Sequence, residues 1–169
     1  GRDGPDGFSA ASIAREVGIS KATLFHHFPS IDGIPTAAFE RMIADSLAID
    51  MPPDASLADT VERLGRGTAE LVRARRGFFN AYFVLVARAM FDDGLRAQLQ
   101  ASGDVLLGRL RVLLAPKLAA GEDVAAFARL IAIQLDGSAI HRMAFGNDDE
   151  VDAAWRLLVE LARRKGRSK

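Results

Sequence analysis

The chain has 169 residues, with 22 Lys+Arg balancing 22 Asp+Glu, so no overall charge draws it towards nucleic acid or an anionic membrane. It contains no cysteine, which excludes disulfides and thiolate metal sites and fits a reducing cytosol. The opening GRDGPDG has no apolar signal segment, and the greasiest run, Ala81 to Ala87, is far short of the ~20 residues a membrane helix needs. The expectation is therefore a cytoplasmic protein with no membrane partner, long enough to bury a sizeable core.

Residues 1–7 read as a loop, and Phe8 to Phe28 as two short helices joined by a glycine turn. Ser9 is an N-cap, because its hydroxyl can accept from an unpaired first-turn amide. Ile13, Ala14 and Val17 then give one apolar face. Gly18 follows where a left-handed residue is needed, and Ile19 returns to the core. Ser20 caps a second helix, with Leu24 and Phe28 inward, and Pro29 stops it by pushing its predecessor out of the α region. This is a helix-turn-helix, whose second helix would enter a DNA major groove. Ala22, Phe25 and His26 project from the outer side, flanked by Lys21 and Thr23. Lys21 can donate to guanine or phosphate, Ala22 can touch a thymine methyl, and His26 can donate or accept at a base edge. The motif itself is neutral, with Arg15, Lys21 and Arg41 opposing Glu16, Asp32 and Glu40, so phosphate neutralisation is not its strength. Adjacent His26 and His27 point in different directions and have no third ligand in reach, so no metal is expected.

In Ile13-Ala14, Gly18-Ile19-Ser20, Lys21-Ala22-Thr23-Leu24-Phe25 and His27-Phe28-Pro29-Ser30, the chain resembles the TetR-type (TetR/AcrR) bacterial transcriptional regulators. The resemblance implies an N-terminal DNA-binding unit followed by a larger helical domain that dimerises and holds a small effector. It implies a further helix upstream, so this chain reads as lacking its first helix. DNA contacts fall on Ser9, Lys21, Ala22, Thr23, Phe25, His26 and His27, with Thr23 and His27 near phosphates. Two positions depart from the family: Phe25 stands where tyrosine is common, and Ile31 where lysine is common. Both remove a contact to the DNA backbone.

A connecting helix is expected from Ile34 to Leu47, carrying Phe39, Met42, Ile43 and Leu47, with a delayed or distorted start at Gly33 and Pro35. Met51 to Asp54 is a linker. Ser56 and Asp59 open the next helix, whose stripe is Leu57, Val61, Leu64, Thr68 and Leu71, with Arg73, Arg75 and Arg76 in its last turn. Phe78 to Phe91 is apolar nearly all round and reads as a central buried helix, broken by Asp92-Asp93-Gly94. Leu95 and Leu99 follow, then Val105 to Leu118 beyond an interruption at Ser102-Gly103. Gly121 to Asp123 cap a long helix from Val124 to Phe145. Asn147 to Glu150 cap the last, Val151 to Arg163, and Arg163 to Lys169 reads as a frayed basic tail. No strand pattern occurs. The fold class is all-α, with residues 1–47 as the helix-turn-helix unit and connecting helix, and residues 54–165 as the effector-binding and dimerisation domain.

Phe79, Tyr82, Phe83 and Met90 are candidate apolar contacts to a small, largely apolar effector, with Gln134, Asp136 and His141 as polar ones. Those three polar residues interrupt a greasy helix. They must be satisfied internally, lie at a wet cavity, or sit at a subunit boundary. Following the family, dimerisation is assigned to the last two long helices, with Ala132, Ile133, Gly137, Ile140, Ala144, Trp155 and Leu158 at the interface. The functional expectation is a homodimeric repressor released from a palindromic operator on double-stranded DNA by a small molecule. The alternative is an all-helical small-molecule-binding dimer with a vestigial DNA-binding unit. No catalytic constellation, phosphate loop or cofactor motif is present in the sequence.

Overall fold

The computed structural model describes residues 9–31, 33, 34, 37, 40, 41, 52 and 54–167. The expected loop at residues 1–7 and the positions Phe8, Pro35, Phe39, Met42, Ile43, Leu47, Met51 and Pro53 lie outside them, as do Ser168 and Lys169.

Local hydrogen bonds set where the helices begin. Ser9 and Ser12 form a reciprocal capping box at the start of α1 (Ala10–Val17), each side chain accepting the other's amide at 3.1 Å. Gly18 ends α1 at φ 75°, and the Ile19 amide donates back to the Ala14 carbonyl at 2.9 Å. Ser20 accepts from the Thr23 amide at 3.0 Å and starts α2 (Lys21–His27), which ends at an extended Phe28 before Pro29. A helix after it is seen at residues 33, 34, 37, 40 and 41. Its entry is tight, as Gly33 and Ile34 donate three residues back to Ser30 and Ile31.

Five longer helices follow: α3 (Leu57–Ala74), α4 (Arg76–Ala89), α5 (Asp93–Leu114), α6 (Val124–Ile140) and α7 (Asp148–Lys165). Ser56 and Asp59 cap α3 reciprocally, both amide bonds being 3.1 Å, and Asp123 accepts from the Ala126 amide at 3.0 Å to start α6. Among the described residues there is no strand, only an isolated bridge between Leu118 and Gly166.

The chain divides into two compact units, Gly1–Ile43 with Arg75–Gly103, and Ala44–Ala74 with Asp104–Lys169. In the first, Ala14 and Leu24 are buried between α1 and α2, while Leu85, Ala89 and Leu95 form a cluster backed by Leu99. In the second, α3, α6 and α7 pack with the later turns of α5. Leu110, Leu114 and Ile131 are wholly buried there, each contributing about 1.5–3 kcal/mol of transfer free energy. Trp155 ties the unit together. Its ring lies on bare Gly65 of α3, where a Cβ would meet the indole at 2.7 Å, and its Nε1–H donates to buried Ser138 of α6 at 2.8 Å.

Several sequence expectations change. Val17 is 63 % exposed rather than part of the apolar face, because helices of eight and seven residues cover only one side of each other. Residues 78–91 are not buried all round. Phe79, Tyr82, Leu85 and Ala89 face inward, whereas Phe91, beyond the helix end, is 91 % exposed. Arg76 opens α4 instead of closing α3. The helix does not break at Ser102-Gly103 either: α5 runs through both. Ser102 is fully buried, and its hydroxyl donates to the Glu40 carboxylate at 2.9 Å. Burial there outweighs the ~1 kcal/mol that an interior glycine costs a helix. The basic tail is not frayed up to Arg167. The Arg167 amide donates to Lys117 O and its guanidinium to Leu118 O, at 2.9 and 3.0 Å. Finally, the helix expected to reach Phe145 is α-helical only to Ile140 and continues as a π-turn over His141–Phe145.

Candidate nucleic-acid interface

The phase of α2 follows from its two ends. Ser20 and Thr23 fix the first turn, and Pro29 fixes the last. With Leu24 only 4 % exposed, the helix must turn its other sides outward. Lys21, Ala22, Thr23, Phe25, His26 and His27 are all exposed, so the expected reading surface is not covered by other described parts of the subunit. Phe25 is 45 % exposed, an apolar ring on an open helix face, which is a costly place for it without a partner. The His26 and His27 rings stand edge to face with centroids 5.3 Å apart. No group of three His, Cys, Asp or Glu among the described residues could hold a metal ion. Ser9 is exposed as well, though its hydroxyl already serves the α1 cap. Ile31 is half-buried and supplies no charge.

The surface can make close, mixed contacts. Ala22 allows backbone approach, Phe25 offers apolar area, Lys21 a cation, and His26 both donor and acceptor capacity. Its charge is low, so affinity for phosphate depends on few groups.

The candidate effector residues divide between the units. In the first, Phe79 and Tyr82 are buried and Phe83 half-buried. Their rings form a chain, with Phe79 to Phe83 at 6.3 Å and Tyr82 to Phe83 at 5.3 Å. Met90, at the C-cap of α4, is 66 % exposed. In the second unit Gln134 is half-buried, while Asp136 and His141 are exposed. The His141 ring sits 5.0 Å from Phe145, and its Nδ1 is 3.3 Å from the Asn147 amide nitrogen.

The candidate dimer residues also separate. Ile133 is 62 % and Ile140 40 % exposed on α6, with Ala144 exposed and Gly137 half-buried along the same stripe. Ala132, Trp155 and Leu158 are buried within the subunit, so they support that face from behind rather than form it. Leu130, Phe145 and Leu157, not singled out in the sequence, are also exposed, at 39, 68 and 72 %. Leu157 was discoverable, since it lies two residues from Trp155 and so on a different side of α7. The turn between α6 and α7 is fixed by Arg142. Its side chain is 4 % exposed and paired with Asp148 at 3.0 Å and with Asp152.

Residues 1–38 match the family model for bacterial regulatory proteins of the tetR family. Among solved structures, the chain is similar to a transcriptional regulator from Rhodococcus sp. Rha1, with 15 % identity and a TM-score of 0.72 over 97 % of this chain and 89 % of that one. A TetR transcriptional regulator from Legionella pneumophila shares 17 % identity, with a TM-score of 0.65 over 94 % and 88 % of the two chains. A TetR-like transcriptional regulator from Rhodococcus sp. RHA1 shares 24 %, with a TM-score of 0.60 over 92 % and 82 %. Nothing matches among curated proteins. At these identities the structural likenesses establish the fold, and the reading module is carried by the family match. The first 38 residues thus match the tetR-family model, and the chain as a whole shares the fold of the TetR-type regulators.

Proposed function

We propose that two copies of the chain form a ligand-responsive repressor that reads a palindromic operator with paired α2 helices. The observation that carries this reading is the open face of Lys21, Ala22, Phe25 and His26 on a helix capped at both ends. Dimerisation is supported by the exposed side chains of Ile133 and Ile140 on α6 and Leu157 on α7, since apolar area of this kind on the last two helices calls for a partner. Asp136 and His141 lie exposed on that same stretch of chain, which favours a subunit boundary over an internal cavity for them. The aromatic group Phe79, Tyr82 and Phe83 is the candidate apolar contact for a small effector. Such a ligand releases DNA only if it binds better to a state whose α2 helices no longer match one helical turn, about 34–36 Å.

The test is selection of bound genomic fragments by the purified protein, followed by gel shifts on the enriched site. A palindromic site bound in a salt-sensitive way is expected. Uniform recovery of fragments at low salt overturns the reading. It would favour instead a small-molecule-binding dimer with a vestigial reading unit, which the missing hydroxyl at Phe25 and missing cation at Ile31 support.

A further inference from the structure

The second unit holds a groove of about 470 Å³ between α3 and α7, within the size range of small-molecule sites. Its floor is apolar: Gly65, Ala69, Trp155 and Val159, all buried. Its walls alternate in sign at one-turn spacing, Glu62, Arg66, Glu70 and Arg73 on α3, then Asp152, Arg156, Glu160 and Arg163 on α7. A solvated ladder of this kind normally closes on itself through pairs three or four residues apart. Here that happens only once, between Arg163 and Glu160 at 2.8 Å, while Asp152 is taken by buried Arg142. Arg66, Arg73 and Arg156 have no ion-pair partner among the described residues, and neither do Glu62 and Glu70. Three open guanidiniums and two open carboxylates therefore rim an aromatic floor.

We infer that this groove binds an amphipathic anion, a flat apolar body carrying one carboxylate or sulfonate. The apolar body lies in the groove against the accessible edges of Trp155 and Val159, and the guanidinium fork of Arg66 or Arg156 takes the two anionic oxygens side by side. The site belongs to the second unit and the α4 aromatics to the first, and it does not depend on DNA binding by α2.

Trp155 is the only tryptophan, so its indole N–H gives a single reporter at the floor of the groove. The test is an NMR titration of the ¹⁵N-labelled protein with naphthalene-2-sulfonate, with neutral naphthalene-2-methanol as the comparison. A saturable shift of the indole resonance is expected with the sulfonate, and binding at least tenfold weaker with the alcohol. Arg66→Gln with Arg156→Gln, both at exposed positions, should weaken the sulfonate at least tenfold. Tyr82→Phe should leave it unchanged. The inference is overturned if the indole does not move at millimolar sulfonate, if the alcohol binds equally well, if the double variant binds as tightly as the parent, or if Tyr82→Phe abolishes the shift.

Discussion

Replacing Gly65 by alanine sets two effects of opposite sign against each other. In a helix interior, alanine gains about 1 kcal/mol over glycine. At this position the new methyl would lie 2.7–2.9 Å from three atoms of the Trp155 ring. The ring has little freedom to retreat, because it is 5 % exposed and its Nε1–H is held by Ser138 at 2.8 Å. Overpacking of this kind costs roughly 1–3 kcal/mol, and three simultaneous close approaches put it in the upper part of that range. The net expectation is a loss of about 1–2 kcal/mol, which lowers Tm by roughly 2–8 °C for a chain of this size. Gly108 provides the control. It is exposed on α5, and a Cβ there meets nothing within 4 Å, so Gly108→Ala should stabilise by up to ~1 kcal/mol. Thermal and urea melts followed by circular dichroism compare the two. Equal stabilisation by both substitutions would refute the packing of Trp155 on Gly65, and with it the assignment of that ring to the subunit's own core.

Three further substitutions probe the buried guanidinium, the buried hydroxyl and the exposed apolar face. Asp148→Asn with Asp152→Asn strands a guanidinium that is 4 % exposed, so it should cost more in urea unfolding than Arg142→Met, which leaves two half-exposed carboxylates in water; the reverse order would contradict the burial argument. Ser102→Ala and Glu40→Ala should be non-additive by about 0.5 kcal/mol or more in a double-mutant cycle, and Glu40→Gln should recover most of the loss, since it keeps an acceptor for the buried hydroxyl. Leu157→Glu combined with Ile133→Arg should halve the mass seen by sedimentation while leaving the helical spectrum intact, and an unchanged mass would move the interface elsewhere.

Much of the fold could be read from sequence because its punctuation is local. The caps at Ser9, Ser20, Ser56 and Asp123 and the turn at Gly18 are each made by groups within five residues. The face of α2 was legible for the same reason: once Leu24 is inward, the helical period places Ala22, Phe25 and His26 outside. What failed depends on distant partners. Trp155 looks like interface area until Gly65, ninety positions earlier, supplies the bare surface that draws it in. Ser102-Gly103 looks like a break until Glu40 receives the serine hydroxyl. The tail is held by backbone groups of Lys117 and Leu118, which carry no side-chain signal in a sequence.

The central claim is that the open side of α2 meets base edges rather than only phosphates. Parallel selections from one genomic library, using the parent, Lys21→Ala and His26→Ala, test it most directly. The account predicts a palindromic motif for the parent, and for each variant a relaxed preference confined to one symmetry-related pair of positions. An identical motif from all three proteins, or the same uniform loss at every position, would contradict it.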